Sequence, residues 1–342
     1  MAKKIAVVGA GAWGTALAAH AARLDHDVRL WAHEPEVVAD VNERHENRLF
    51  LEGIALPRTL RASSAPAEVL EGVDIVVLVP PSAFLRYVAG LIAEHVGRSA
   101  RIVIASKGID ERTLGLMTDV TAEAMPDHDA AAMCALSGPS FAREVASGLP
   151  TDVVVASKSA EAAAEVAEAL HSPMFRVYTS KDPVGVEVGG AMKNVLAIAA
   201  GACDGLGLGT NARAALVTRG LSEMARLGVA LGGDPLTFMG LSGVGDLILT
   251  STGALSRNRA LGLKVAEGIE PATYLASQRT VAEGYLTARA AWRLAQKLGV
   301  DVPITEQVYH VLHEGRPLLE AMKMLLTRAQ KDELWGLPGP AA

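Results

Sequence analysis

The chain has 342 residues, half of them apolar, and a formal net charge of −6, enough material for a sizeable core and, by length, about two domains. This composition excludes intrinsic disorder, and the scattered Lys and Arg form no basic stripe for a nucleic-acid backbone, so no nucleic-acid partner is expected. Cys134 and Cys203 sit among apolar or small residues without a CxxC or Cys/His companion. Neither a disulfide framework nor a metal site is indicated, and both read as reduced thiols.

Met1-Ala2-Lys3-Lys4 followed by apolar residues to Ala22 superficially resembles a secretory signal. Gly9, Gly11 and Gly14 interrupt the apolar region such a signal needs, and they are better explained as a turn. The later apolar run from Val184 to Gly209 carries Glu187, Lys193 and Asp204, which argues against a membrane span. A cytoplasmic protein with no integral membrane segment is expected.

In chain order, Lys4–Val8 is a short apolar run of the kind that forms a parallel strand covered on both faces. Gly9-Ala10-Gly11-Ala12-Trp13-Gly14 follows, then an alanine-rich helix from Thr15 to Leu24 and a second strand, Asp27–Trp31. This is a βαβ unit, and in that setting GxGxxG has a mechanism. The first glycine makes a tight turn, the second admits a pyrophosphate to the backbone, and the third lets helix pack on strand. Plain NAD calls for an acid near the end of the second strand to hold the ribose hydroxyls. Here the sequence reads Trp31-Ala32-His33-Glu34. His33 could face a 2′-phosphate, whereas Glu34 could serve as the ribose acid or cap the helix after Pro35, so NADP or NAD is expected, with NADP favoured.

Val73–Val79 and Arg101–Ala105 are further buried strands, with a helix from Ser82 to Ala93 between them. The second ends in Ser106-Lys107-Gly108, which aims Lys107 at the crevice of the glycine turn, because ligands of open α/β sheets lie beyond the carboxyl ends of the strands. Ala132–Leu136 forms a strand running into the loop Ser137-Gly138-Pro139-Ser140-Phe141-Ala142. Asp152–Ala156 and Phe175–Tyr178 are strands separated by a helix from Ala160 to Leu170, and from Pro183 the pattern is helical. Thr210-Asn211 should cap a segment ending near Gly228, with further helices opening at Pro235 and Pro317. The expected fold is α/β: a Rossmann-type doubly wound sheet over 1–182, an all-α substrate domain over 183–335 and a mobile tail over 336–342.

Inside the helical run starting at Pro183, Lys193 and Asn194 interrupt an apolar pattern. A buried ammonium must find partners or shift toward neutrality, unless it snorkels to the surface. Gly189 and Gly190 can be read as clearance for substrate and nicotinamide. Asp246 and Thr250 stand one turn apart if Gly243–Thr250 is helical. Ser256-Arg257-Asn258-Arg259 offers donors suited to a phosphate, although by itself it reads equally as a solvated helix start capped by Ser256.

Together these motifs, with Val281-Ala282-Glu283-Gly284, resemble the bacterial NAD(P)-dependent sn-glycerol-3-phosphate dehydrogenases over nearly the whole chain. The resemblance implies interconversion of dihydroxyacetone phosphate and sn-glycerol 3-phosphate, a small phosphorylated three-carbon substrate, with reduction favoured to feed glycerophospholipid synthesis. Carried over by position, it implies that Gly9, Gly11, Ala12, Trp13, Gly14, His33, Lys107, Ala142, Arg257, Val281 and Glu283 bind the dinucleotide. Lys107, Gly138, Ser140, Lys193, Asp246, Ser256, Arg257 and Asn258 would then face the substrate. Ala12 departs from the hydroxyl residue of many relatives, at the loss of one phosphate contact.

Lys193 matches the family's general acid/base, with Asp246, Asn194 and Thr250 as its catalytic companions. Hydride delivery to a carbonyl carbon leaves an alkoxide that needs a proton and positive charge nearby, which a lysine supplies without a metal. Its pKa should be lowered by burial and by Lys107 and held up by Asp246. Rival readings are a β-hydroxyacid dehydrogenase, disfavoured by the Ser-Arg-Asn and Ser-Gly-Pro-Ser clusters, and a non-catalytic dinucleotide sensor, disfavoured by the presence of Lys193 and Asp246. A homodimer through the helical domain is expected.

Overall fold

The structure is a computed structural model that describes residues 2–278, 281–333 and 335–336. Most of the expected tail, 337–342, lies outside the described residues. Two compact units are present, one built from Met1–Ser106 and Met117–Pro183, the other from Lys107–Leu116 and Val184–Ala342.

The first unit is organised on eight strands: β1 Lys4–Val8, β2 Asp27–Trp31, β3 Arg61–Ser63, β4 Ile75–Leu78, β5 Arg101–Ile104, β6 Cys134–Ser137, β7 Thr151–Ala156 and β8 Phe175–Ser180. Their spatial order is β3-β2-β1-β4-β5-β6-β7-β8. Every neighbouring pair is parallel except β6 with β7, which run antiparallel. The chain reverses from β1 outward through β2 and β3 and then crosses to β4, so the loop after β1 lies at the switch point where nucleotides bind in open sheets. Alternation along β1 serves two cores at once. Ile5 and Val7 enter one apolar cluster, and Ala6 and Val8 enter the cluster on the opposite face.

The expected strands occur at or within two residues of their anticipated limits. Three features are different. The first helix is Ala12–Arg23, starting inside the glycine motif, because Gly11 occupies the N-cap position and the turn leads straight into helical backbone. β3 is too short to leave a periodic signal. The antiparallel β6–β7 pairing depends on where the chain returns, which local pattern does not encode.

Among its described residues the second unit is helical apart from an isolated bridge between Ile109 and Leu116. Its axis is the helix Pro183–Gly205, mostly apolar and buried along its length up to Cys203, with Gly205 at its end exposed. A helix of this length and hydropathy could cross a bilayer, but its apolar window is buried within the unit, as in the core helix of a globular protein. Val188, Met192, Val195 and Leu196 on this helix pack with Leu227, Phe238, Leu247, Leu261, Ala288 and Val308 in one core. The helix expected to be capped by Thr210-Asn211 spans Gly209–Ala230, with Leu208 at the N-cap and no side-chain cap bond. Gly207 and Gly209, both at positive φ, turn the chain into it, so Thr210 lies within the first turn.

Candidate active site

The glycine motif of the first unit has the shape its spacing anticipates. Gly9 has φ +113, and a Cβ on Gly14 would lie 1.9 Å from Gly9 O, so only glycine lets the helix start this close to the strand. A Cβ on Gly11 would meet nothing within 4 Å. The space over Gly11 is therefore open, as backbone approach to a pyrophosphate requires, and the helix Ala12–Arg23 begins there with no side-chain cap on its first amides. Trp13 Nε1 is buried without a hydrogen-bond partner, an orphaned donor of the kind a bound ligand completes. These features fit a dinucleotide. Ala12, the first residue of the helix, contributes no hydroxyl.

At the end of β2, His33 is exposed and its ring lies 6.4 Å from that of Trp31. Glu34 takes the N-cap position of the helix Pro35–Ala39 but makes no side-chain capping bond. In the loop after β6, Gly138 adopts φ +138, and a Cβ there would overlap Val153 Cα at 2.9 Å. Ser140 Oγ donates back to Gly138 O at 2.9 Å, and Ala142 opens the short helix Ala142–Ala146.

The second unit holds the ionic centre. Lys193 Nζ donates to Asp246 Oδ1 at 2.5 Å, and Lys107 Nζ donates to Asp246 Oδ2 at 2.8 Å. Thr250 Oγ1 donates to Asp246 Oδ1 at 3.2 Å from the next turn of the helix Asp246–Thr252. Asp246 is completely buried and Lys193 is 8% exposed, so snorkelling is ruled out. Lys107, expected in the crevice of the glycine turn, belongs to this helical unit. Burial lowers the Lys193 pKa to about 7, Asp246 opposes the shift, and Lys107 adds to it. Burial also works against charge on Asp246, but Lys107 and Lys193 outweigh it and hold the carboxyl below its usual value. One carboxylate between two ammonium groups leaves an excess positive charge and an ammonium able to release its proton near neutrality.

The polar cluster beside this centre is more constrained than its sequence indicates. Asn258 Nδ2 donates to Asn194 Oδ1 at 2.8 Å, and Asn258 Oδ1 accepts from Gly284 N at 2.9 Å. Asn194 Nδ2 reaches Gly190 O at 3.4 Å. The Asn258 amide, expected to face substrate, thus links the helices Pro183–Gly205, Arg257–Ala266 and Glu283–Leu298, with one N–H left over. Ser256 is the N-cap of Arg257–Ala266, its Oγ accepting from Arg259 N at 3.1 Å. It caps as read, but it is buried rather than solvated. Arg257 reaches solvent. Its protein surroundings lower its pKa, and the Glu283 carboxylate opposes that shift. Val281 is exposed, and Glu283 opens its helix.

Gly189 needs correction. A Cβ there would lie 2.4 Å from Ser242 O, so the clearance it provides is filled by this chain's own backbone. Sequence reasoning also passed over Glu223, buried and accepting from Ile304 N, Thr305 N and Thr305 Oγ1 at 2.6, 3.0 and 3.1 Å. Its only signal is an acid on the apolar side of a helix.

Models of the NAD-dependent glycerol-3-phosphate dehydrogenase N-terminus and C-terminus match residues 4–163 and 182–323. The chain belongs to the NAD-dependent glycerol-3-phosphate dehydrogenase family. Among similar members, the glycerol-3-phosphate dehydrogenase [NAD(P)+] of Geobacter metallireducens is 52% identical over 97% of this chain and 99% of that protein. The enzyme of the same name from Geobacter sulfurreducens is 50% identical over 98% of this chain and all of that protein. The crystal structure of glycerol-3-phosphate dehydrogenase from Coxiella burnetii superposes with a TM-score of 0.91 at 40% identity, covering 96% of this chain and 99% of that one.

Proposed function

We propose that this family member is an NAD(P)-dependent sn-glycerol-3-phosphate dehydrogenase, reducing dihydroxyacetone phosphate to sn-glycerol 3-phosphate and catalysing the reverse oxidation. The observation that carries the reading is the Lys107–Asp246–Lys193 group, with Asp246 and Lys193 buried and Lys107 half-buried. A lysine with its pKa near neutrality can give a proton to a new alkoxide and take it back in the oxidation. Asp246 orients Lys193 and balances its charge, Lys107 adds positive charge for the developing oxyanion, and Thr250 fixes the shared carboxylate oxygen. The bound nicotinamide supplies or receives the hydride. Arg257, partly solvated at a helix start, grips the substrate phosphate, while Ser256 and Asn258 hold that helix start in place.

The open space over Gly11 and the orphaned Trp13 donor support dinucleotide binding in the first unit. NADPH is read as the preferred reductant, supported by the exposed imidazole of His33 and the apolar Ala32 where a ribose-binding acid would stand. A homodimer through the helical unit is supported by its exposed Leu236, Met239 and Leu326, and light scattering at working concentration tests it. A cytoplasmic location and supply of glycerophospholipid synthesis complete the reading. The deciding experiment follows NADH and NADPH absorbance with dihydroxyacetone phosphate and, separately, with a 3-oxo acid. Oxidation with the phosphorylated ketone is expected; activity confined to the oxo acid, or none with either, overturns the assignment.

A further inference from the structure

The helix Pro183–Gly205 and the π-helical turn Leu241–Gly245 meet backbone to backbone. A Cβ on Gly189 would lie 2.4 Å from Ser242 O and 2.9 Å from Ser242 C, and neither atom belongs to a side chain that can swing aside. The turn is held from behind as well. A Cβ on Gly243 would lie 2.1 Å from Phe238 O, and one on Gly228 would lie 2.1 Å from Phe238 Cζ, so the buried Phe238 is wedged between the turn and the helix Gly209–Ala230. Lys193 follows Gly189 by one helical turn on the same face, and Asp246 follows Ser242 by four residues. The close approach and the ion pair are therefore two ends of one rigid link.

We propose that Gly189 is a positioning residue for the reaction: its missing side chain lets the Leu241–Gly245 turn seat against the helix, and that seat sets the distance at which Asp246 meets Lys193. The inference rests on the dehydrogenase reading above. A methyl group at position 189 must displace the turn by about 1 Å to bring the 2.4 Å approach out to ordinary contact. Asp246 and Lys107 are the charged groups acting on Lys193, while Arg257 on the neighbouring helix is set against Glu283. Moving Asp246 away weakens the one attraction that keeps the proton on Lys193, and its proton is then lost at lower pH.

The test is the pH dependence of dihydroxyacetone phosphate reduction by Gly189→Ala. Reduction requires protonated Lys193, so activity falls as pH rises through its pKa. The variant should show kcat reduced about tenfold or more and the falling limb moved about half a pH unit or more to lower pH, with NAD(P)H binding by fluorescence unchanged. Gly201→Ala creates a similar overlap on the same helix, its Cβ 2.0 Å from Arg259 O, and should lower the melting temperature without moving the limb. Phe238→Leu leaves Gly189 intact but removes the ring that wedges the turn against the helix Gly209–Ala230, so the turn's seat loosens and the limb should move in the same direction as in Gly189→Ala. If Gly189→Ala does not accumulate as folded protein, Phe238→Leu decides alone. A wild-type enzyme that turns over the ketone while the folded variants keep its limb overturns the positioning role; a wild-type enzyme that does not turn it over overturns the functional reading instead.

Discussion

Lys193 and Asp246, fifty-three positions apart in the chain, are joined by a 2.5 Å ion pair inside the helical unit. Because the second carboxylate oxygen is taken by Lys107, neither partner can change without altering the charge state of the other two. This coupling underlies the first two predictions.

Lys193→Ala removes the proton donor and leaves the glycine motif untouched. We expect kcat to fall by about 10²- to 10⁴-fold, the usual contribution of a positioned acid/base, with the dissociation constant for NAD(P)H preserved. Steady-state kinetics and cofactor fluorescence separate the two effects. Unchanged kcat contradicts the assignment.

Asp246→Asn leaves two ammonium groups facing each other without a countercharge. Breaking a buried pair in this way costs on the order of 3 kcal/mol, read as a lower denaturation midpoint at constant slope. Lys193 loses the attraction that opposes its burial, so the high-pH limb of the reduction profile should move to lower pH. A limb that stays in place argues against Lys193 as the titrating group.

Arg257→Ala should raise KM for dihydroxyacetone phosphate by about 10- to 100-fold, the range of one charge-assisted hydrogen bond, and leave KM for unphosphorylated dihydroxyacetone nearly unchanged. Equal losses with both ketones remove the phosphate clamp from the mechanism.

Glu223 links stability to pH. Burial raises its pKa from 4.5 to about 7, against the bonds from Ile304 and Thr305. A carboxyl whose pKa is higher folded than unfolded holds its proton more tightly in the native state. Its contribution is complete below about pH 4.5 and is lost as pH rises through about 7. The shift corresponds to on the order of 3 kcal/mol. Glu223→Gln should flatten the decline in unfolding free energy between pH 5 and 8 relative to wild type, measured by urea titration at each pH; parallel declines exclude the linkage.

Cofactor preference is read at His33. Paired KM values for NADH and NADPH should favour NADPH, and His33→Ala should raise KM for NADPH more than for NADH. A strong preference for NADH in the wild-type enzyme refutes this role.

Much of this molecule is readable from local pattern. The glycine motif between β1 and its helix, the buried parallel strands and the apolar helix around Lys193 depend on residues near one another in the chain, where spacing constrains geometry. The charge logic of Lys193 was likewise legible, since a lysine amid apolar residues has few options. The burial of Lys193 excludes snorkelling, and the family motifs favour the catalytic role proposed above.

Other features came into view only with the tertiary structure, because they depend on which distant segments touch. Gly189 has the composition of a ligand-facing gap, yet the Ser242 backbone occupies it. Asn258 has the donors of a phosphate site, yet most of its amide is committed to Asn194 and Gly284. Lys107 follows β5 of the first unit by three residues but belongs to the second, where it meets a carboxylate far along the sequence. In each case sequence specifies the chemical capacity of a side chain, while its partner is chosen by packing, since backbone approaches that leave no room for a Cβ and three-way hydrogen bonds exist only once the elements have docked.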